Sequence, residues 1–339
     1  MKADARDTET FGAVTREAGR HLRGGEVVAF PTETVYGLGA DALNEAAVAK
    51  IFVLKGRPAD NPLIIHIADL ADLERVAEWT PSARKLAEAF WPGPLTMVLP
   101  KKAGVLDIVS AGLPTVGVRF PAHPVALGVI KAAGRPIAAP SANLSGRPSP
   151  TLARHVVEDF GDEVMVVDGG ATEVGLESTV VDVSGERPVI LRPGFITGAE
   201  IGEVLGEEVG CSSAGCSSAA GDERPAAPGM KYKHYAPKGE VRLAGNRAEI
   251  LEQGRELEAK YGERPLCIVM GSADEPWPDE LEVFLVAGRG DLEAYARNIF
   301  AALRYADANN YAAVVVEAVP EEGLGVAIMD RLKKAAGGG

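Results

Sequence analysis

The amino-acid sequence predicts an α/β protein of two domains, the larger of them with α+β character. First, 339 residues is longer than one hydrophobic core usually serves, and the composition is that of an ordinary globular protein. Second, short apolar runs punctuated by glycine and proline fill residues 1–205, as expected of a mixed sheet. Third, strand and helix patterns alternate regularly over residues 239–339, as expected of a parallel sheet.

The first domain, residues 1–205, is predicted as a twisted mixed sheet with helices. Strands are predicted at 27–30, 63–67, 95–99, 116–120, 136–139, 164–168, 178–183 and 189–191, and helices at 11–22, 44–54 and 81–90. The strands are short apolar runs, whereas the helices repeat apolar residues at helical spacing. Asn44 is expected to cap the second helix, and Pro81 to begin the third.

A change of composition marks the end of this domain. Residues 206–238 are rich in Gly, Ser, Ala and Pro and finish with APGMKYKHYAPKG, which predicts an interdomain linker. Residues 239–339 predict a smaller three-layer domain with a parallel sheet. Its strands are expected at 241–243, 266–270, 281–286 and 312–317, and its helices at 247–261, at 292–305 and at the C-terminal end.

Charge and hydropathy exclude several classes of protein. The formal net charge is −13, which argues against tight, direct binding of tRNA or DNA through phosphate contacts. No apolar run approaches the roughly 18 residues that span a bilayer, and residues 1–25 lack the apolar core of a secretory signal. We therefore expect a cytoplasmic protein without membrane contact, which would hold an anionic ligand by a few placed cations and backbone amides.

Signatures of covalent and zinc chemistry are missing from the sequence. The 5 histidines are scattered, and Cys211 and Cys216 lie in a Ser-rich stretch without the partner ligands that zinc requires. No spacing supports a Ser-His-Asp arrangement, and neither a Walker-type loop nor GxGxxG follows a predicted strand. No metal site made directly of protein ligands is expected.

Polar residues concentrate instead where predicted strands and helices end. In PTETVYGLG, residues 31–39, small hydroxyl residues beside glycine leave room for a ligand and expose backbone amides. Lys55 and Arg57 follow a helix, and their compact charge and planar fork suit phosphate oxygens. Taken alone, the first block is also consistent with a tight turn, and the two cations with a helix C-terminus.

Two later blocks suggest the same chemistry. Strand alternation places Thr115, Gly117 and Arg119 on one face, which suits a carboxylate or phosphate group. Ser141 and Asn143 offer polar groups to phosphate or to magnesium. A solvent-exposed sheet face and an ordinary turn would give these two patterns as well.

Seven motifs follow one another over about residues 20 to 200: PTETVYGLGADA, KGRPADNPLIIH, WPGPLTMVLP, TVGVRFPAHP, APSANLSGRPSPT, ESTVVDVS and ILRPGFIT. In this order they resemble the YrdC-like family, and the full length resembles its two-domain threonylcarbamoyl-AMP synthases. The linker segment APGMKYKHYAP is similar to the one that joins the two domains of the long form. Residues 239–339 resemble its smaller, Rossmann-like domain through weaker motifs.

The resemblance implies an adenylate-forming nucleotidyltransferase. L-threonine, bicarbonate and ATP, accompanied by Mg2+, would give threonylcarbamoyl-AMP, pyrophosphate and water. The product would pass to a partner tRNA threonylcarbamoyltransferase that modifies adenosine 37 of tRNA. Contact of this chain with tRNA itself would then be weak or indirect.

The resemblance also implies roles for individual residues. The catalytic cluster around the ATP phosphates and Mg2+ would be Lys55, Arg57, Ser141 and Asn143, with the metal near Ser141. Further ATP contacts would come from Asn61, Thr115, Ser149, Arg192 and, in a linker acting as a lid, Tyr235. Threonine would be surrounded by Thr34, His66, Thr179, the backbone of Ala139, and Arg119 at its carboxylate.

Two alternatives stay open on the sequence. YrdC-like domains also occur in hydrogenase-maturation carbamoyltransferases, which carry zinc-finger and acylphosphatase-like modules that this sequence lacks. The second alternative is an RNA-binding module without catalytic activity, against which the net charge of −13 speaks. His66, at the end of an apolar run, is by its position alone typical of a buried core histidine.

Overall fold

The protein divides into two compact units. Its structure, a computed structural model, describes residues 2–6, 8–211, 235–272, 277–279 and 281–337. The N-terminal unit comprises the described residues as far as 211, except that 146–149 and 174–176 group with residues 235–337 in the C-terminal unit. The predicted boundaries of domains and linker stay predictions, and residues 212–234 of that linker, Cys216 among them, lie outside the described residues.

The N-terminal unit is built on one mixed sheet. Its strands are β1 (Lys2–Asp4), β2 (Val28–Pro31), β3 (Tyr36–Asp41), β4 (Ile64–His66), β5 (Leu95–Pro100), β6 (Thr115–Arg119), β7 (Ile137–Ala138), β8 (Met165–Asp168), β9 (Thr179–Asp182), β10 (Val189–Arg192) and β11 (Gly210–Cys211). Its helices are α1 (Thr8–Arg23), α2 (Glu45–Lys55), α3 (Leu73–Val76), α4 (Pro81–Phe90), α5 (Asp107–Ser110), α6 (Pro124–Ala133), α7 (Ala153–Phe160) and α8 (Gly198–Leu205). The strand order is β1-β8-β2-β3-β7-β4-β6-β5-β9-β10-β11, with parallel and antiparallel neighbours. The predicted mixed sheet is confirmed.

Alternation along the strands gives this sheet two different faces. On one face, Ala29, Leu38 and Val118 belong to the larger apolar cluster, to which helices α2 and α4 contribute. On the other, Val28 and Phe30 pack against helices α1 and α6. The helices thus cover the second face beside β2, and the site described below lies farther along it, on β4, β6 and β5.

The segment after β2 combines a turn with a strand. Residues 31–39, expected to leave room for a ligand and consistent with a tight turn, contain such a turn as far as Val35, and residues 36–41 form β3, in which Gly37 is paired with Phe30 of β2. A Cβ on Gly39 would stand 2.6 Å from Cε1 of Phe30, so glycine is what allows the aromatic ring to lie there. In the sequence, a glycine that close packing in a strand requires cannot be told from a glycine in a turn, because the side chains that require it lie on other strands.

The ends of helix α2 place the first cation of the site. Asn44 caps its start, as predicted, by accepting a hydrogen bond at Oδ1 from a backbone N–H of the first turn. The helix ends with Lys55, and Gly56 takes the left-handed conformation (φ 59°) that turns the chain away. Lys55 therefore stands at the entrance of the loop that carries Arg57.

The C-terminal unit contains a parallel sheet, as predicted. Its strands are β12 (Glu240–Ala244), β13 (Leu266–Met270), β14 (Glu282–Ala287) and β15 (Ala313–Glu317), and its helices are α9 (Arg247–Tyr261), α10 (Leu292–Ala308) and α11 (Leu324–Ala335). The strand order is β12-β15-β13-β14, and all neighbours are parallel. Within their described residues, neither unit contains a helix with the length and hydropathy needed to cross a bilayer.

Candidate active site

The second face of the N-terminal sheet carries polar residues on strands β4, β6 and β5. Arg119 on β6 lies directly beside His66 on β4 and Thr96 on β5. Thr115 and Gly117 share this face with Arg119, as alternation predicted. Thr96, Thr115 and Gly117 line a crevice there. Arg119 lies on the same face, at the opposite end of β6 from Thr115.

The Arg119 side chain is surrounded by polar groups although it is only 4% exposed. Its Nη1 donates to Oγ1 of Thr34 at 2.8 Å, and its Nε donates to the carbonyl oxygen of Gly93 at 3.3 Å. Its Nη2 lies 2.7 Å from Oε1 of Glu33. We call Glu33, Thr34, His66 and Arg119 the Arg119 cluster.

A tight turn between β2 and β3 presents Glu33 and Thr34 to the arginine. Within it, Oγ1 of Thr32 donates to the carbonyl oxygen of Val35 at 2.7 Å. Oγ1 of Thr32 also accepts from the backbone N–H of Thr34 at 3.2 Å. The hydroxyls of Thr32 and Thr34 are 2.8 Å apart. These bonds fix the turn locally and hold Thr34 Oγ1 towards Arg119.

His66 is uncharged at neutral pH. Burial, together with the nearby charge of Arg119, lowers the pKa of His66 to about 3. Its Nδ1 lies 3.2 Å from the carbonyl oxygen of Ile64. A neutral imidazole can donate at one nitrogen and accept at the other, so His66 suits a hydroxyl group better than an anion.

A second cluster is centred on Lys55, whose side chain is 3% exposed. Its Nζ donates to the carbonyl oxygen of Ser141 at 2.6 Å and also to that of Asn143. The backbone carbonyl of Lys55 accepts from the N–H of Ser145 at 2.9 Å. The lysine therefore shapes the 141–145 loop besides bringing a positive charge to it.

Arg57 and Asn61 continue this cluster. Arg57 donates from Nε to the carbonyl oxygen of Asn61 at 3.2 Å and from Nη2 to that of Pro62 at 2.9 Å. The side-chain oxygen of Asn61 is buried and accepts no hydrogen bond within the described part of the chain. We call Lys55, Arg57, Asn61, Ser141 and Asn143 the Lys55 cluster; its donors suit the oxygens of a phosphate chain.

Residues 139–141 join the two clusters. The N–H of Ala139 donates to the carbonyl oxygen of Ile64 at 2.9 Å, beside the Arg119 cluster. Ser141 pairs with Gly37 in an isolated β-bridge, and its carbonyl oxygen is the one that Lys55 contacts. The backbone of Ala139, predicted to contact threonine, thus lies between the two groups of side chains.

Arg192 reaches the same face through Ser178. Its Nη2 donates to the carbonyl oxygen of Ser178 at 3.0 Å, and the Ser178 hydroxyl is 2.8 Å from that of Thr96. Thr179 differs, because it is paired with Leu95 on the apolar side and its hydroxyl donates to the carbonyl oxygen of Ile196 at 2.6 Å. The predicted threonine contact of Thr179 stays a prediction.

Family profiles match most of the chain. Residues 20–194 match the Sua5, YciO and YrdC family described as "Telomere recombination", and residues 196–337 match "Threonylcarbamoyl-AMP synthase, C-terminal domain". The threonylcarbamoyl-AMP synthase of Pyrococcus abyssi is 50% identical over 95% of this chain and 94% of its own length. That of Bacillus subtilis is 45% identical over 95% of this chain and 92% of its own length. The chain belongs to the threonylcarbamoyl-AMP synthase family.

A solved structure of the same family confirms the fold. Pyrococcus abyssi Sua5, crystallised in complex with L-threonine, superposes with a TM-score of 0.87 at 45% identity. The match covers 100% of this chain and 97% of that one. The resemblance to two-domain members of the family, inferred from the motifs, is thereby confirmed.

Two residues that the family resemblance places at ATP lie in the C-terminal unit. Tyr235 is buried there with a positive φ of 67°, and its ring stacks on Phe300 at a centroid distance of 5.3 Å. Ser149 belongs to the short segment 146–149 that groups with this unit. Arg304 of helix α10 holds that segment by donating to the carbonyl oxygen of Pro148 from Nε at 3.0 Å and from Nη2 at 2.7 Å. Their ATP contacts stay predictions for this family member.

Glu33 is a member of the Arg119 cluster that sequence reasoning left without a role. The motif PTETVYG contains it, but a glutamate in a polar turn is usually exposed to solvent. Only the pairing of β2 with β3 and of β4 with β6 brings its carboxylate beside Arg119.

The residues fit magnesium carried by a nucleotide. Among the described residues, no three His, Cys, Asp or Glu side chains are grouped as a metal site would require. The Lys55 cluster instead offers the hydroxyl of Ser141 and the amide oxygens of Asn61 and Asn143. Mg2+ bound by phosphates and water needs few such ligands, so a magnesium–ATP complex suits this donor set.

Proposed function

We propose that this protein forms L-threonylcarbamoyl-adenylate from L-threonine, bicarbonate and ATP, with pyrophosphate and water as the other products. The observation that carries the proposal is the Arg119 cluster, joined to the Lys55 cluster by residues 139–141, in a member of this family. A group suited to a carboxylate beside a group suited to phosphates fits an enzyme that joins an amino-acid derivative to AMP. The relative crystallised with L-threonine supports this choice of amino acid.

The Arg119 cluster would bind threonine. Arg119 would pair with the substrate carboxylate, for which its planar fork is suited. Neutral His66 would bind the side-chain hydroxyl, since an uncharged imidazole has one donor and one acceptor nitrogen. Thr34 would accept from the same hydroxyl, because its own proton is directed to Oγ1 of Thr32. The Ala139 backbone, and Thr179 by family resemblance, would complete this subsite.

The Lys55 cluster would bind ATP. Lys55, Arg57, Ser141 and Asn143 would surround the phosphates and their magnesium ion, which would neutralise charge on them. The remaining nucleotide contacts that we propose are those of Asn61, Thr115, Ser149, Arg192 and Tyr235. Of these, Asn61 has the strongest local support, because its buried side-chain oxygen accepts no hydrogen bond from the described residues.

The chemistry needs position and charge rather than a side-chain nucleophile. Once its ammonium group has lost a proton to solvent, the amine of threonine attacks the carbon of bicarbonate, which gives the N-carboxy derivative and water. A carbamate oxygen then attacks the α-phosphorus of ATP, the bond to the β-phosphate oxygen breaks, and pyrophosphate leaves. The two cations and the backbone-shaped loop 141–145 would stabilise the charge that spreads over the phosphates.

We infer that the product serves tRNA modification. Threonylcarbamoyl-adenylate is a mixed anhydride and therefore an activated donor for transfer to an amine. A partner tRNA threonylcarbamoyltransferase would use it at adenosine 37 of tRNA. This chain would then be the nucleotidyltransferase of the pair and would need only weak or indirect contact with tRNA.

Pyrophosphate release tests the proposed reaction. The wild-type protein is expected to release pyrophosphate from magnesium–ATP only when L-threonine and bicarbonate are both present. Mass spectrometry should identify the threonylcarbamoyl-adenylate in the same samples. Release that is absent, or that proceeds equally without threonine, would refute the proposed function.

A pair of arginine variants tests the phosphate assignment. Arg57→Gln is expected to lower the rate about 100-fold, as loss of one charge-stabilising group typically does. Arg135→Gln is the matched control, because this arginine is 47% exposed and pairs with Asp41 at 3.2 Å, outside both clusters. It should retain the wild-type rate within about twofold. Equal rates for the two variants would contradict the role of Arg57.

A further inference from the structure

Glu33 carries a buried carboxylate whose hydrogen-bonding capacity is unused. The residue is 4% exposed, and its Oε1 contacts Nη2 of Arg119 at 2.7 Å. Neither Oε1 nor Oε2 accepts a hydrogen bond from any part of the chain that the structure describes. Buried carboxylates normally accept several hydrogen bonds, because their desolvation is otherwise costly.

The local backbone does not supply those bonds. The N–H groups of Thr34 and Val35, next along the chain from Glu33, are both directed to Oγ1 of Thr32. Arg119 donates from Nη1 to Oγ1 of Thr34 and from Nε to the carbonyl oxygen of Gly93. Its Nη2 contacts Glu33 without the alignment of a hydrogen bond. The turn is therefore complete without Glu33, and the carboxylate is left facing the proposed threonine site.

A free α-amino acid matches this pair of charges. Its carboxylate and its ammonium group are separated by one carbon atom, so a cation and an anion in contact can bind both at once. If Arg119 binds the carboxylate of threonine, Glu33 stands beside it at the place where a donor with several N–H bonds would satisfy its two oxygens. Thr34 and neutral His66 remain available for the hydroxyl.

We propose that Glu33 binds the α-ammonium group of the amino-acid substrate and thereby selects free amino acids over their uncharged-amine or hydroxy analogues. The proposal rests on the proposed function, since it concerns the same threonine subsite. The competing explanation is that Glu33 only neutralises the buried charge of Arg119. The two differ in a measurable way, because an internal counter-charge would not depend on the ammonium group of the ligand.

The test measures the binding of two ligands to two proteins, the wild type and Glu33→Gln. L-threonine and the matched 2,3-dihydroxybutanoate differ only in that a hydroxyl replaces the ammonium group. Calorimetry would give the affinity of each for the full-length wild type and for Glu33→Gln. The wild type is expected to prefer threonine by about 30-fold or more, as a charge-assisted hydrogen bond allows, and Glu33→Gln by less than about threefold.

A second substitution guards against loss of folding. Glu33→Asp keeps the carboxylate and should preserve most of the preference, and its thermal unfolding should be followed beside that of Glu33→Gln. If neither variant folds, the wild type alone decides, since a preference below about threefold excludes an ammonium–carboxylate contact.

The outcomes separate the two levels of inference. If the wild type makes threonylcarbamoyl-adenylate but Glu33→Gln weakens both ligands by the same factor, Glu33 is a structural counter-charge and this inference is overturned alone. A preference that is unchanged in Glu33→Gln overturns it as well. If the wild type neither binds threonine nor makes the adenylate, the proposed function itself is wrong. Loss of the preference with retained binding of dihydroxybutanoate supports the ammonium contact.

Discussion

Arg119 and His66 lie next to each other on β6 and β4, and the arginine affects the protonation of the histidine. The fixed positive charge of the arginine opposes protonation of the histidine, in addition to the effect of burial. The result is one permanent cation and one neutral imidazole in the same small volume. A substrate with both a carboxylate and a hydroxyl group can use both.

This arrangement predicts a specific loss of stability in acid. The pKa of His66 is about 3 in the folded chain and about 6.5 when unfolded, so between these pH values the unfolded chain binds more protons. Stability from this group is therefore present above about pH 6.5 and declines as the pH falls towards 3. Between pH 7 and pH 4, the free energy of unfolding measured in urea should fall by about 3 kcal/mol more for the wild type than for His66→Gln. Parallel pH profiles of the two proteins would show that His66 is not buried as a neutral base.

Individual residues were predictable from sequence to the extent that their chemistry is unusual. Lys55, Arg57 and Arg119 stood out because their charged groups suit an anionic ligand, although a helix C-terminus would also favour the first two. Glu33 did not, because its importance comes from a neighbour 86 residues away, on another strand. Local patterns report the type of side chain, whereas burial and pairing depend on how the strands are ordered.

At the scale of elements, strong local signals gave accurate bounds. Helix α4 spans Pro81–Phe90 and helix α9 spans Arg247–Tyr261, as predicted, because each begins with a capping residue just before it and a helical pattern follows. Helix α6, Pro124–Ala133, was not predicted. Its buried residues fall at helical spacing, but most of the residues between them are also apolar or glycine, so the sequence shows no polar face that would reveal the helix.

Helix α10 shows how an element can stabilise a distant segment. Arg304, 2% exposed, donates twice to the carbonyl oxygen of Pro148, and Asp307, one turn later, pairs with Arg147 at 3.3 Å. Because residues i and i+3 share a helix face, the two side chains hold the 146–149 segment together. No local pattern around residue 147 indicates this contact, which explains why that segment was predicted as part of the first domain alone.

Substitution of Arg304 should therefore destabilise the C-terminal unit. Arg304→Met keeps an unbranched apolar side chain but leaves the Pro148 carbonyl oxygen without these donors, at a cost of about 2 kcal/mol. Arg255→Met, at an exposed position on helix α9, is the control and should cost less than about 0.5 kcal/mol. Urea unfolding followed by circular dichroism measures both. Equal values for the two variants would mean that the Arg304 contacts contribute little to stability.

At the scale of the whole molecule, composition excluded some classes of protein but did not identify the reaction. A net charge of −13 with ordinary hydropathy indicates a globular protein that does not depend on a basic surface. The cations proposed to bind anions, Lys55, Arg57 and Arg119, are buried. The choice of threonine and ATP came from family motifs, because a buried arginine and a buried lysine fit many carboxylates and phosphates equally well.

The same charge predicts weak binding of RNA. A chain at −13 repels the phosphate backbone over most of its surface, so tRNA should bind with a dissociation constant above about 10 μM at 150 mM salt. Fluorescence anisotropy with labelled tRNA measures this, and a tRNA that carries guanosine in place of adenosine 37 serves as the control. The two RNAs should bind equally weakly, since transfer to the nucleoside is expected to occur on the partner enzyme. Submicromolar binding that falls steeply between 50 and 150 mM salt would instead reveal a local basic surface and restore the RNA-binding alternative.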